Sequence, residues 1–146
     1  MDIDRTIALT SGTVRERIAS CGCGGLKAGL RGEPLDVYVC SCQICQRRSG
    51  GAFSYAAIFP ATDVSVAGER KSWKRNGASG RWIENSFCPT CGVAVFFRSE
   101  GLPGMIGVSA GCLSDQDFPG PKRVYWASRR HHWLELPADI PLIDEQ

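Results

Sequence analysis

The chain has 146 residues, 43% hydrophobic and 22% charged, a globular composition that excludes the disordered and fibrous classes. Its net charge of +2 is spread thinly, apart from the pairs Arg47-Arg48 and Arg129-Arg130, so no nucleic-acid-binding stripe is implied. No apolar run is long enough to span a bilayer, and the start MDIDRTIALT carries early acids where a secretory signal needs an apolar core, so a soluble protein of the reducing cytoplasm is expected.

Length predicts one domain over residues 14–146, preceded by a polar N-terminal extension over residues 1–13. Along the chain, strands dominate. LDVYVC at 35–40 alternates, FSYAAIFP at 53–60 is aromatic and apolar, and DVSVAG at 63–68 reads as a short strand ending in a turn. KSWKRNGASGRWIENSF reads as a hairpin, with strands around Trp73 and Trp82 and its tip at 76–80. GVAVFFR at 92–98 is rich in β-formers. Helix is expected only as a turn or two over 43–48 and as a short segment capped by Ser114, with Asp117 three positions on. The fold class is mainly β. The four tryptophans, Trp73, Trp82, Trp126 and Trp133, read as core or pocket wall. His131 and His132 read as exposed loop residues, with no ligand partner at useful spacing.

Eight cysteines in a chain without a secretory signal point to metal rather than disulfides. They fall as Cys21-x-Cys23, Cys40-x-Cys42-x2-Cys45, Cys88-x2-Cys91 and a lone Cys112. Side chains two apart on a strand point the same way, so each C-x-C can aim two sulfurs at one ion. The FCPTCG turn, with Pro89 inside and Gly92 after it, can do so by folding back. Cys21, Cys23, Cys88 and Cys91 could thus close a tetrahedral site of the kind that holds structural zinc. Cys40, Cys42 and Cys45 would then hold a second ion with one position left for water or substrate, the pattern of a catalytic site. Two alternatives stay open from spacing. Cys42 and Cys45 could form a zinc ribbon with Cys88 and Cys91, although the intervening stretch far exceeds the roughly 15–20 residues usual there. Cys112 could complete the triplet, although in GVSAGCL it reads better as a buried hydrophobe.

The segments SCGCGGLK, CSCQICQRRSGGAF, SFCPTCGVAVFFRSE and YWASRRHHWLELPADIPLIDE, in this order, resemble the glutathione-dependent formaldehyde-activating enzyme family, to which centromere protein V is related. The resemblance covers nearly the whole chain from about Val14 and departs at Ser41 and Val124, where members often carry His. It implies a β-tent of several coiled antiparallel sheets with short helical turns, stabilised by zinc. It also implies two zinc ions per chain: a structural one on Cys21, Cys23, Cys88 and Cys91, and a catalytic one on Cys40, Cys42 and Cys45. The implied activity is that of a carbon–sulfur lyase, joining glutathione and formaldehyde into S-hydroxymethylglutathione.

The residues are chemically suited to that activity. Zinc on three thiolates carries a formal charge of about −1, a poor Lewis acid but a good holder of a further thiol as thiolate. Arg47 and Arg48, directly after Cys45, could balance the charge and hold the carboxylates of glutathione as substrate-binding residues. The competing expectation is a non-catalytic zinc module that binds or carries glutathione or a protein partner. Neither reading involves nucleic acid or membrane.

Overall fold

The aromatic and β-branched runs become strands in a computed structural model that describes residues 14–145; the extension expected over residues 1–13 lies outside them. Among the described residues there are eleven strands. They are β1 (Glu16–Ser20), β2 (Lys27–Arg31), β3 (Asp36–Cys40), β4 (Ser54–Pro60), β5 (Val64–Ala67), β6 (Lys71–Asn76), β7 (Trp82–Phe87), β8 (Ala94–Ser99), β9 (Met105–Ser109), β10 (Val124–Tyr125) and β11 (Leu142–Ile143). Among the same residues one helix, α1 (Gln43–Ser49), follows β3, and there are three short 3-10 turns. The mainly β class and the hairpin at 71–87 are as the sequence implied.

Two sheets form, with orders β1-β2-β5 and β11-β10-β3-β4-β9-β8-β7-β6. Pairing is antiparallel except where β10 runs parallel to both β3 and β11, so the sheets are not antiparallel throughout. The parallel pairing carries the C-terminal segment back to the triplet. Val39 N–H donates to Arg123 O at 3.2 Å, and Ser41 N–H donates to Tyr125 O at 3.0 Å.

Because side chains alternate across a strand, register sorts the large sheet into two faces. Val37, Ala57, Phe59, Phe96 and Val108 share one face, which packs on Ala19, Ala28 and Leu30 of the small sheet to make the main core. Tyr38, Ala56, Ile58 and Phe97 point the other way and form a second cluster with Ile83, Leu102, Met105 and Tyr125. This second face is the floor of the candidate site.

Gly107 permits that floor. A Cβ there would lie 2.1–2.5 Å from ring atoms of Phe97, so only a residue without a side chain lets the ring lie across β9. Gly107→Ala is expected to displace the ring and destabilise the protein by about 1–3 kcal/mol, the usual cost of overpacking. The check is a lower urea midpoint at unchanged slope.

Two sequence expectations fail. No helix forms at Ser114, whose φ of +51° ends the 3-10 turn Ala110–Leu113, and Asp115 Oδ1 instead accepts from Asp117 N–H at 2.9 Å in a local turn. Trp73 and Trp133 are not core or pocket wall; they are 55% and 70% exposed. Trp73 lies on β6, an edge strand with no further neighbour in the sheet among the described residues.

Candidate metal centres and the adjoining cavity

The cysteines gather into two groups. Cys21, Cys23, Cys88 and Cys91 bring their sulfurs within 4.8 Å of one another, and so do Cys40, Cys42 and Cys45. The ribbon pairing of Cys42 and Cys45 with Cys88 and Cys91 is not formed. Cys112 joins neither group; it is half-buried, and its thiol donates to Ala94 O at 3.7 Å.

In the quartet, Cys21 and Cys23 sit in the turn after β1, and Cys88 and Cys91 sit in the turn after β7. The strand geometry expected of Cys21-x-Cys23 is therefore absent, and a turn closed by Cys21 N–H to Leu26 O at 3.0 Å converges the sulfurs instead. Cys23 Sγ lies 3.7 Å from Cys21 Sγ and 3.6 Å from Cys88 Sγ. A tetrahedron with zinc–sulfur bonds of about 2.3 Å has edges of about 3.8 Å, so the donors stand at the spacing zinc requires. Backbone amides face the sulfurs as thiolates demand: Leu26 N–H donates to Cys21 Sγ at 3.2 Å, and Thr90 and Cys91 N–H donate to Cys88 Sγ at 3.4 and 3.5 Å. Burial opposes ionisation of Cys21, yet the Leu26 amide and the neighbouring thiols bring it down to about 6. The donor set fits zinc.

The triplet is assembled differently. Cys40 ends β3, Cys42 caps α1 with its Sγ accepting from Cys45 N–H at 3.4 Å, and Cys45 lies in the first turn of that helix. Here too the C-x-C pair is not all strand, since the chain turns at Ser41. Hydrogen bonds from Cys40 and then Cys45 pull the Cys42 thiol far down, and the same contact with Cys42 pushes Cys40 up. Three soft donors thus converge, a set that fits zinc with a position to spare. Gln46 ties α1 to the C-terminal segment: its Nε2 donates to Ser41 O at 2.8 Å and Arg129 O at 3.0 Å, and its Oε1 lies 3.2 Å from His131 Nε2. His131 and His132 are exposed, as expected of loop residues.

The two groups differ in what surrounds them. Cys40, Cys42 and Cys45 line a cavity of about 600 Å³ that none of the quartet reaches. Arg48 lines it, with its guanidinium 5.9 Å from the centre of the Phe97 ring. Arg47 does not; it is exposed on the outer side of α1. Arg75, Arg81 and Arg129 line the cavity although the sequence alone did not single them out for it. Trp126, also in the lining, holds a left-handed φ of +55° beneath the Arg129 guanidinium, 4.7 Å from its ring centre. A bulky residue in that conformation is strained by roughly 1–3 kcal/mol and is kept there by its surroundings. Burial, with Cys45 nearby, pushes the Tyr38 phenol up, so it stays protonated beside the triplet.

A family model described as glutathione-dependent formaldehyde-activating enzyme matches residues 16–129. A solved structure of a Rhodobacter sphaeroides protein is similar in fold, with a TM-score of 0.55 at 20% sequence identity, covering 86% of this chain and 98% of that one. Among the described residues, no helix is long and apolar enough to cross a membrane.

Proposed function

The chain belongs to the glutathione-dependent formaldehyde-activating enzyme family, and on that premise we propose that Cys40, Cys42 and Cys45 form its reaction centre. There the sulfur of glutathione adds to formaldehyde to give S-hydroxymethylglutathione, and the reverse cleavage makes the protein a cytoplasmic carbon–sulfur lyase. The observation that carries this reading is the opening of the triplet, and not of the quartet, onto a cavity of about 600 Å³.

Zinc held by the triplet would supply a fourth coordination position at which a thiol is kept as thiolate. The remaining work falls to this chain. Arg48 and Arg129 bring positive charge to the triplet end of the cavity, where they offset the sulfurs and attract a peptide carrying two carboxylates. The floor of Ala56, Ile58 and Phe97 keeps water from the sulfurs and strengthens those contacts. Of the two arginines expected to bind substrate, Arg48 lines the cavity, which supports that role. Arg47 is assigned no contact with it. The quartet is assigned to structure, holding the turn after β1 against the turn after β7.

The test is the rate of adduct formation from glutathione and formaldehyde with zinc-loaded protein, followed by NMR against the uncatalysed reaction. Saturable acceleration is expected, and Arg48→Met should raise KM for glutathione about tenfold, the loss of one charge-assisted contact. A rate equal to background would leave the protein a binding module.

A further inference from the structure

One wall of the cavity is built by the β6–β7 hairpin, and it carries two donors without a partner among the described residues. Asn85 is only 5% exposed and lines the cavity, yet its Nδ2 has no hydrogen-bond partner among the described residues. The Nε of Arg75 is buried and partnerless in the same way. Register makes the two neighbours: Arg75 pairs with Ile83, and Asn85 follows Ile83 on the same face. Buried donors are rarely left unmade, and two sharing one wall call for an acceptor that the chain itself does not provide. A guanidinium beside an amide N–H selects for negative charge on two oxygens, which is a carboxylate.

The charge of the cavity agrees. Asp36 is the one acid in its lining among the described residues, and it is paired with Arg123. Arg48, Arg75, Arg81 and Arg129 face the space without a carboxylate partner among the described residues. Between the hairpin wall and Cys40 the floor is apolar: Tyr38, Ile58, Ile83, Phe97, Leu102 and Met105. Apolar surface of this extent suits the hydrocarbon body of a ligand.

The geometry points to a carboxylate subsite on Arg75 and Asn85 that takes an organic acid with an aromatic or aliphatic body, the body lying on the Phe97 floor. The subsite lies four strand spacings from Cys40 at Asn85 and five at Arg75, about 19 and about 24 Å measured along the sheet. It does not depend on the chemistry at the triplet, so a protein inactive toward formaldehyde would still show it.

The test is calorimetric titration of 4-phenylbutyrate, and of its neutral amide 4-phenylbutanamide, into the zinc-loaded full-length protein. The acid is expected to bind at least about tenfold more tightly than the amide, the weight of a charge-assisted pair. Arg75→Met and Asn85→Asp should each weaken the acid about tenfold or more and leave the amide unchanged. Asn85→Asp keeps the shape of the side chain, so a fold lost in one variant leaves the other to decide. Equal affinity for acid and amide, no binding of the acid, or equal losses for both probes would overturn the subsite. So would glutathione binding that falls in both variants while the aryl acid shows none, because the wall would then belong to the tripeptide.

Discussion

Cys88→Ser is expected to abolish folding rather than weaken it. Cys88 is 2% exposed, its sulfur lies 3.6 Å from Cys23 Sγ, and it accepts two backbone N–H groups from its own turn. Cys88 and Cys91 follow β7 of the large sheet, and Cys21 and Cys23 follow β1 of the small one, so an ion in the quartet would fasten the two sheets to each other. Binding of structural zinc is worth about 10–16 kcal/mol at neutral pH in small domains. A whole domain is stable by only about 5–15 kcal/mol. Losing most of the first quantity therefore exceeds or exhausts the second. Serine supplies a hard, neutral oxygen where a soft thiolate stood, and it cannot make good the loss. The measurements are zinc content, near-ultraviolet circular dichroism and a melting curve. A soluble Cys88→Ser protein that binds one zinc fewer and still melts cooperatively near the wild-type temperature would remove the quartet's structural assignment.

The grouping of the cysteines was legible from spacing because short C-x-C and C-x-x-C separations confine sulfurs to a few ångströms whatever the backbone does. The backbone that achieves this was not legible. Cys21-x-Cys23 lies in a turn and Cys40-x-Cys42 straddles a strand end and a helix cap, and both still converge. The strand at 36–40 announced itself by alternation and those at 54–60 and 94–99 by runs of apolar and aromatic β-formers, whereas β1 and β2 carry few strong β-formers and are held by pairing with each other and with β5. Arg75 and Asn85 show why the far wall escaped notice. Their alternation with Ile83 marks one face of a hairpin, but only the order β3-β4-β9-β8-β7-β6 brings that face round to Cys40. Sheet order depends on contacts between residues far apart in the chain, which no local pattern encodes. Trp73 misled for a related reason: its chemistry asks for burial, and its place on an edge strand denies it.

Cys42→Ser is expected to do the reverse of Cys88→Ser, sparing the fold and removing the activity. Cys42 caps α1, where Ser is among the favoured residues, so the seven-residue helix keeps its first hydrogen bond and stability should change by no more than about 1 kcal/mol. What goes is the thiol whose ionisation its neighbours favour, Cys40 first and then Cys45. Replacing one soft donor of three by a hydroxyl should empty the site of metal, taking bound zinc from two ions per chain to one. Loss of a hydrogen bond to a metal ligand alone costs about 10–100-fold, so loss of the ligand itself should lower adduct formation by roughly 100-fold or more. The contrast between the variants is the informative part. If Cys42→Ser keeps its zinc at the quartet, melts as the wild type does and still forms S-hydroxymethylglutathione at the wild-type rate, then the cavity-facing sulfurs take no part in the reaction. If it melts as poorly as Cys88→Ser, the triplet is a second structural clasp and the cavity beside it serves some other end.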